Sequence, residues 1–194
     1  MITFQNFLFS NRSYTPIPIV FILLYFSIFN LYFFLLGLLL IIIGEIIRIS
    51  AVKYAGGVTR TTKVGAPILI TEGPYSISRN PLYLGNMIIY SGVVILAGGP
   101  FVREILLFTL IFFIFQYYMI ISLEERTLRK LFKIKYIKYC SKVPRLFPKK
   151  LYWNVKINQS NTILKTFKTE RRTLQNIFLM ISLILLKTYL NNIY

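Results

Sequence analysis

From Ile17 to Ile43 the chain runs through apolar residues without a single charge. A membrane-crossing helix needs ~20 mainly apolar residues, because each adds ~1.5 Å across a ~30 Å hydrocarbon core. Continued to Arg48, this run is too long for one comfortable span, so two helices are expected, roughly 7–29 and 31–52, with a tight turn near Ser27–Leu31. One long tilted helix is the alternative, and it would place the N-terminus on the other side. Length, lack of a small-residue cleavage site and the apolar runs that follow all argue against a signal peptide.

Further spans are expected from about Leu82 to Ala97, ended by Gly98-Gly99-Pro100, and from about Glu104 to Ser122. The stretch Leu174–Leu190 is short and holds Lys187. A fifth span, an interfacial helix and a packing helix all fit it. The fold expected is therefore an all-α integral membrane protein, a bundle of about four to five transmembrane helices with a cytoplasmic amphipathic helix and a basic tail. Residues 1–150 read as the membrane-embedded domain and 151–194 as a basic C-terminal extension with a terminal hydrophobic helix. Hydrophobic residues make up 56% of the 194, and mean hydropathy is +0.62, which suits a lipid-facing surface.

Charge sets the orientation. Residues 123–173 carry fifteen Lys/Arg against Glu124, Glu125 and Glu170, and the loop 53–80 carries Lys53, Arg60, Lys63 and Arg79. The connection near Gly98–Glu104 has only Arg103. Cytoplasmic loops retain Lys and Arg, so the N-terminus, the basic loop and the tail are all expected on the cytoplasmic side. Nucleic acid is not the expected partner of this charge, because the aromatics lie in lipid-length runs and not in a basic groove. The chain has no histidine, which removes the commonest general base and zinc ligand. No metal site is expected, and the lone Cys140 excludes an internal disulfide.

Two cytoplasmic segments carry candidate chemistry. In Gly65–Gly85, Gly73-Pro74 reads as a turn, Asn80 as a helix N-cap and Pro81 as the first helical residue. Arg79 falls at the water–lipid boundary and Tyr83 in the first turn. In Ser122–Phe132, the apolar stripe Leu128, Leu131 and Phe132 marks an amphipathic helix. Glu124, four residues before Leu128, shares that stripe and needs a partner, whereas Glu125 is placed to pair with Arg129 at i, i+4. Glu45 and Arg48 are expected to pair with each other, with Arg48 snorkelling to the interface. Tyr117 and Tyr118 read as interface aromatics.

Gly73-Pro-Tyr75, Arg79-Asn-Pro-Leu-Tyr-Leu-Gly85, Glu124-Glu125, Tyr136-x-x-Tyr139 and Val143-Pro144, in this order and spacing, resemble the isoprenylcysteine carboxyl methyltransferase family, itself related to the membrane phospholipid methyltransferases. The resemblance runs from about residue 31 to 148. It implies an S-adenosylmethionine-dependent enzyme with its cofactor pocket at the cytoplasmic face of the bundle. Pro67, Ile68, Leu69, Ile70, Tyr75, Asn80, Pro81, Leu82, Tyr83 and Glu124 would surround the cofactor, and Arg79 would meet an anionic substrate or head group. A lipid or lipid-modified acceptor would enter sideways from the bilayer. A phosphatidylethanolamine-type N-methyltransferase and a non-catalytic scaffold with a polybasic tail are the alternative readings. Two positions depart from the family pattern: Asn80 stands where histidine is common, and Ile120 where the eukaryotic enzymes place an arginine. No residue is assigned a catalytic role.

Overall fold

The computed structural model describes residues 2–57, 64–149 and 162–191; Arg60 and Lys63 of the basic loop lie outside them. Six α-helices are described: α1 (Ile2–Ser10), α2 (Ile17–Phe26), α3 (Leu31–Ala55), α4 (Pro81–Ala97), α5 (Val102–Lys142) and α6 (Ile163–Asn191). By length and composition α3, α5 and α6 are each able to cross a membrane, and α2 and α4 are shorter apolar helices. The all-α membrane architecture expected from the sequence holds.

The long apolar run is two passes, not one tilted helix. Ser27–Asn30 breaks it, and the Asn30 side chain caps α3 by accepting from the Phe33 N–H at 3.2 Å. The first pass is itself broken at Asn11–Pro16, where the sequence had suggested a continuous helix from about residue 7. Pro16 and Pro18 explain the break: neither supplies the N–H that a continuing helix would use. At the break Arg12 donates to the Phe9 carbonyl at 2.7 Å and lies over the Phe9 ring, while Thr15 donates to Gln116 of α5 at 3.0 Å. Gln5 of α1 meets Arg126, well beyond the apolar part of α5. The α1–α2 pair thus runs from the basic end of the bundle to the far end.

At that far end the α2–α3 and α4–α5 connections stack on each other. Ile28 N–H donates to the Ala97 carbonyl at 3.1 Å, and Gly98 and Gly99 have φ of 62° and 93°. A Cβ at Gly98 would come within 2.5 Å of the Ile28 oxygen, so glycine is required for both conformation and space.

The α3–α4 pair is the closest contact in the bundle. Gly37 and Gly44 on α3 face Gly92 and Gly85 on α4, each set two helical turns apart. A Cβ at Gly92 would lie 2.7 Å from the Gly37 oxygen, and one at Gly85 2.9 Å from the Gly44 oxygen. Lipid tails give apolar helices no hydrophobic reason to associate, so close backbone approach over small residues supplies the packing instead.

The last helix is long and apolar enough to cross a membrane and runs the length of the bundle. Near its start Glu170 is buried and binds Arg48 of α3 at 2.7 Å, and near its end Lys187 donates to the Ser27 carbonyl at 2.5 Å. Seventeen residues separate these anchors, about 26 Å of helix. Among the described residues, the α1–α2 pair, α3, α4, α5 and α6 each run between the two ends. Arg48 does not snorkel as expected. It is buried, 4.0 Å from Glu45, and also bonds Thr173 at 3.2 Å and Asn86 of α4.

Removing one member of a buried ion pair strands the other charge, whereas replacing both with apolar residues is often neutral. Arg48→Met is therefore expected to destabilise by about 3 kcal/mol or more, and Arg48→Met/Glu170→Met to recover most of it. Thermal unfolding in detergent checks this. Equal unfolding midpoints for the single variant and wild type would contradict it.

Candidate active site

The candidate residues gather at the basic end, where α4 begins and α5 leaves the apolar layer. Pro81 starts α4 as expected, but Asn80 does not cap it with its side chain. Its amide donates instead to the Arg145 carbonyl at 2.8 Å. The segment after α5 explains this. Residues 143–148 run as a strap across the start of α4: Arg79 N–H donates to the Pro144 carbonyl at 3.0 Å, and the Ser78 hydroxyl to Leu146 at 2.7 Å. Ser78, buried and unremarked in the sequence, also accepts from Asn80 N–H at 3.2 Å. An open carbonyl row competes well for an amide beside a proline that offers no N–H.

Glu124 has the partner that its place on the apolar stripe demanded. The Tyr83 hydroxyl donates to Glu124 Oε2 at 3.0 Å. The Tyr83 ring stacks on Tyr117 with centroids 4.6 Å apart, and Tyr117 continues onto Phe113 at 5.3 Å. Tyr117 is thus buried behind Tyr83 and not the interface aromatic expected, while Tyr118 is exposed. Ile120, one turn before Glu124, is fully buried in the same apolar cluster.

Glu125 is not left to surface pairing with Arg129. Its carboxylate takes Arg79 at 3.2 Å and Arg145 at 3.6 Å, and Arg145 also donates to Ser122 at 2.6 Å. This joins the start of α4, the middle of α5 and the strap through one acid. Arg79 thereby has a protein partner, though its buried Nε lacks a hydrogen-bond acceptor.

The 65–77 loop is held from below. Lys133, at φ 44°, breaks α5, and the turns beyond it pack Tyr136, Tyr139 and Val143 together with Leu69. The Tyr139 hydroxyl donates to the Tyr75 carbonyl at 2.6 Å, fixing the short 3₁₀ turn Gly73–Ser76. Burial pushes the Tyr75 phenol above its ordinary range, with Tyr139 and Glu124 acting in the same sense, so it stays a neutral donor. Of the other expected cofactor residues, Pro81 is buried, Ile70 and Leu82 half-buried, and Pro67 and Ile68 exposed. An apolar cleft of about 320 Å³ begins one residue beyond Tyr83. It is lined by Leu40, Leu84, Met87, Ile88, Leu110 and Ile114, with Phe147 of the strap. Among the described residues no cluster of His, Cys, Asp and Glu suits a metal ion.

The molecule is thus a helical membrane bundle that carries a tyrosine–carboxylate pair at its basic end and an apolar cleft along α4. Residues 32–135 match the phospholipid methyltransferase family, and the chain belongs to it. It is 35% identical over 112 residues to protein-S-isoprenylcysteine O-methyltransferase of Saccharomyces cerevisiae, covering 56% of this chain and 46% of that protein. To protein-S-isoprenylcysteine O-methyltransferase B of Arabidopsis thaliana it is 33% identical over 116 residues, covering 58% and 57%. The chain spans about half the length of the curated relatives it matches. No solved structure matches. The kinship expected from the motifs holds.

Glu125→Ala would leave two guanidiniums without their shared anion. The expected cost is about 1–3 kcal/mol, reduced by the partial exposure of Arg145, with faster proteolytic cutting of the 143–149 strap. A strap equally resistant in variant and wild type would contradict the assignment.

Proposed function

We propose that this chain is a membrane-embedded, S-adenosylmethionine-dependent methyltransferase acting on a lipid or lipid-modified acceptor. The Tyr83–Glu124 pair carries this reading. The residues present fit the cofactor. The half-buried Tyr83 ring, backed on one side by Tyr117, would offer its other π-face to a sulfonium cation. The Glu124 carboxylate offers acceptors for amino or hydroxyl groups, and Tyr75 a neutral hydroxyl. Bound here, the cofactor would supply a methyl group on a positively charged sulfur.

The rest falls to the protein. Methyl transfer is an in-line displacement with a neutral leaving group, so alignment of donor and acceptor dominates, and such positioning supplies on the order of 7–11 kcal/mol in well-oriented cases. Asn80 and Pro81 fix the first turn of α4, and with it Tyr83. By the family's pattern Pro67–Ile70 and Leu82 would line the cofactor. Arg79, bound to Glu125 through one terminal nitrogen, would offer its remaining N–H groups to an anionic acceptor. The apolar cleft beside Leu84 receives the acceptor's hydrocarbon and excludes water. A carboxylate acceptor needs no base. An amine must first lose a proton, and Glu124 is the group placed to take it.

The two relatives, named as O-methyltransferases of prenylcysteine proteins, favour an oxygen acceptor. The family match keeps a phosphatidylethanolamine-type N-methyltransferase as the second reading. The division at residue 150 fits a catalytic unit followed by an extension that supplies α6 as a brace. The basic loops and tail face the cytoplasm on this account, where Lys and Arg are retained.

Membranes holding the full chain, given methyl-labelled S-adenosylmethionine, test these points together. Base-labile label on prenylcysteine supports the first reading, and base-stable label in phospholipid the second. Glu124→Ala should lower incorporation on the order of a hundredfold. In sealed right-side-out vesicles incorporation should require permeabilisation. Absence of label from folded protein in any acceptor would leave the scaffold reading.

A further inference from the structure

Along α5 lies a second cavity, polar and of about 450 Å³, whose lining includes neither Tyr83 nor Glu124. Gln5, Tyr118, Ser122, Arg126, Arg129 and Arg145 contribute to its wall. Glu125 is the acid among the described lining residues, and it is already held by Arg79 and Arg145. The cavity therefore presents a strong excess of positive charge.

Its setting says what would neutralise that charge. Tyr118, Ser122, Arg126 and Arg129 follow one another at helical spacing along a single face of α5. Continued toward the apolar part of the helix, the same face carries Phe115, Ile111 and Phe108, all more than half exposed. The face thus passes from hydrocarbon-compatible side chains, through a tyrosine and a hydroxyl, to two guanidiniums, and Arg145 of the strap adds a third beside them. A phospholipid has the same order from acyl chain through ester to phosphate. Arginine binds phosphate oxygens in a planar, two-pronged geometry, and basic pockets beside membrane helices favour anionic head groups. The cavity is also partly preformed. Arg126 is held by Gln5, and Arg145 by Ser122 and by the face of the Tyr118 ring at 5.0 Å.

We propose that this α5 groove is a seat for an anionic phospholipid, with the phosphate between Arg126, Arg129 and Arg145 and an acyl chain along Phe115 and Ile111. The occupant is a resident lipid that ties α1, α5 and the strap together. It is separate from the methyl acceptor, which enters by the cleft on the α4 side.

The test is thermal unfolding of the detergent-purified full chain during titration with phosphatidylglycerol, phosphatidylcholine or inorganic phosphate. Phosphatidylglycerol should raise the midpoint at much lower concentration than phosphatidylcholine, and phosphate alone should not reproduce the shift. Arg126→Gln/Arg129→Gln should weaken the phosphatidylglycerol response about thirtyfold (~2 kcal/mol). Arg129→Glu, an exposed position that leaves the Gln5 contact intact, gives the same direction should the double variant not fold. Equal responses to the two lipids, an unchanged response in the variants, or a full response to inorganic phosphate would each overturn the proposal. Because the readout is stability without cofactor or acceptor, it is independent of the methyltransferase reading.

Discussion

Inside an apolar bundle a charge has no water to turn to, and Arg48 is where this protein meets that constraint. The guanidinium is answered by Glu170 and Thr173 of α6 and by Asn86 of α4, so one side chain of α3 joins three helices. Gly85 lies directly against the Arg48 stem, and the glycine seam that brings α3 and α4 together ends there. Asn86 is three residues beyond Tyr83, one turn along α4. The height and rotation of the tyrosine that meets Glu124 therefore follow from a joint whose strength depends on being dry.

At the basic end the candidate site is held by a clasp. The start of α4, the emerging part of α5 and the strap beyond it share Glu125, while three hydrogen bonds from Ser78, Arg79 and Asn80 hold the strap. Tyr139 secures the loop from the opposite side. These contacts satisfy the polar backbone of an irregular segment next to a membrane, which otherwise has to be hidden within protein or wet. Beside them the Tyr83 hydroxyl keeps its bond to Glu124. The two glutamates, adjacent in sequence but about 100° apart on the helix, divide the work: Glu125 fastens and Glu124 faces the site.

Much of this architecture is legible in the sequence, because lipid imposes a length and a polarity on every pass. The runs at 31–52, 82–97 and 104–122 anticipate α3, α4 and the apolar part of α5, and the stripe through Leu128 singled out Glu124. What escaped depends on partners far away in the chain. Arg48 and Glu170 are 122 residues apart, so local spacing offered only Glu45. Glu125 was matched with Arg129 because i, i+4 reasoning sees one helix, while its actual partners come from α4 and the strap. Lys187 looked like an interruption of the last apolar stretch, yet its long stem reaches the Ser27 carbonyl at the far end. The break at Asn11–Pro16 was signalled by its prolines and was masked by the apolar residues on either side.

The account stands or falls on whether the basic end binds S-adenosylmethionine. Calorimetric titration of the cofactor into detergent-purified protein, wild type and Tyr83→Phe side by side, addresses this most directly. The phenylalanine keeps the ring stack on Tyr117 and removes only the hydroxyl that bonds Glu124. Saturable binding is expected for the wild type and binding weaker by roughly tenfold for the variant, the scale of a lost hydrogen bond to a charged group. Absence of binding to folded wild-type protein in the presence of lipid, or equal affinity in the two proteins, would contradict it.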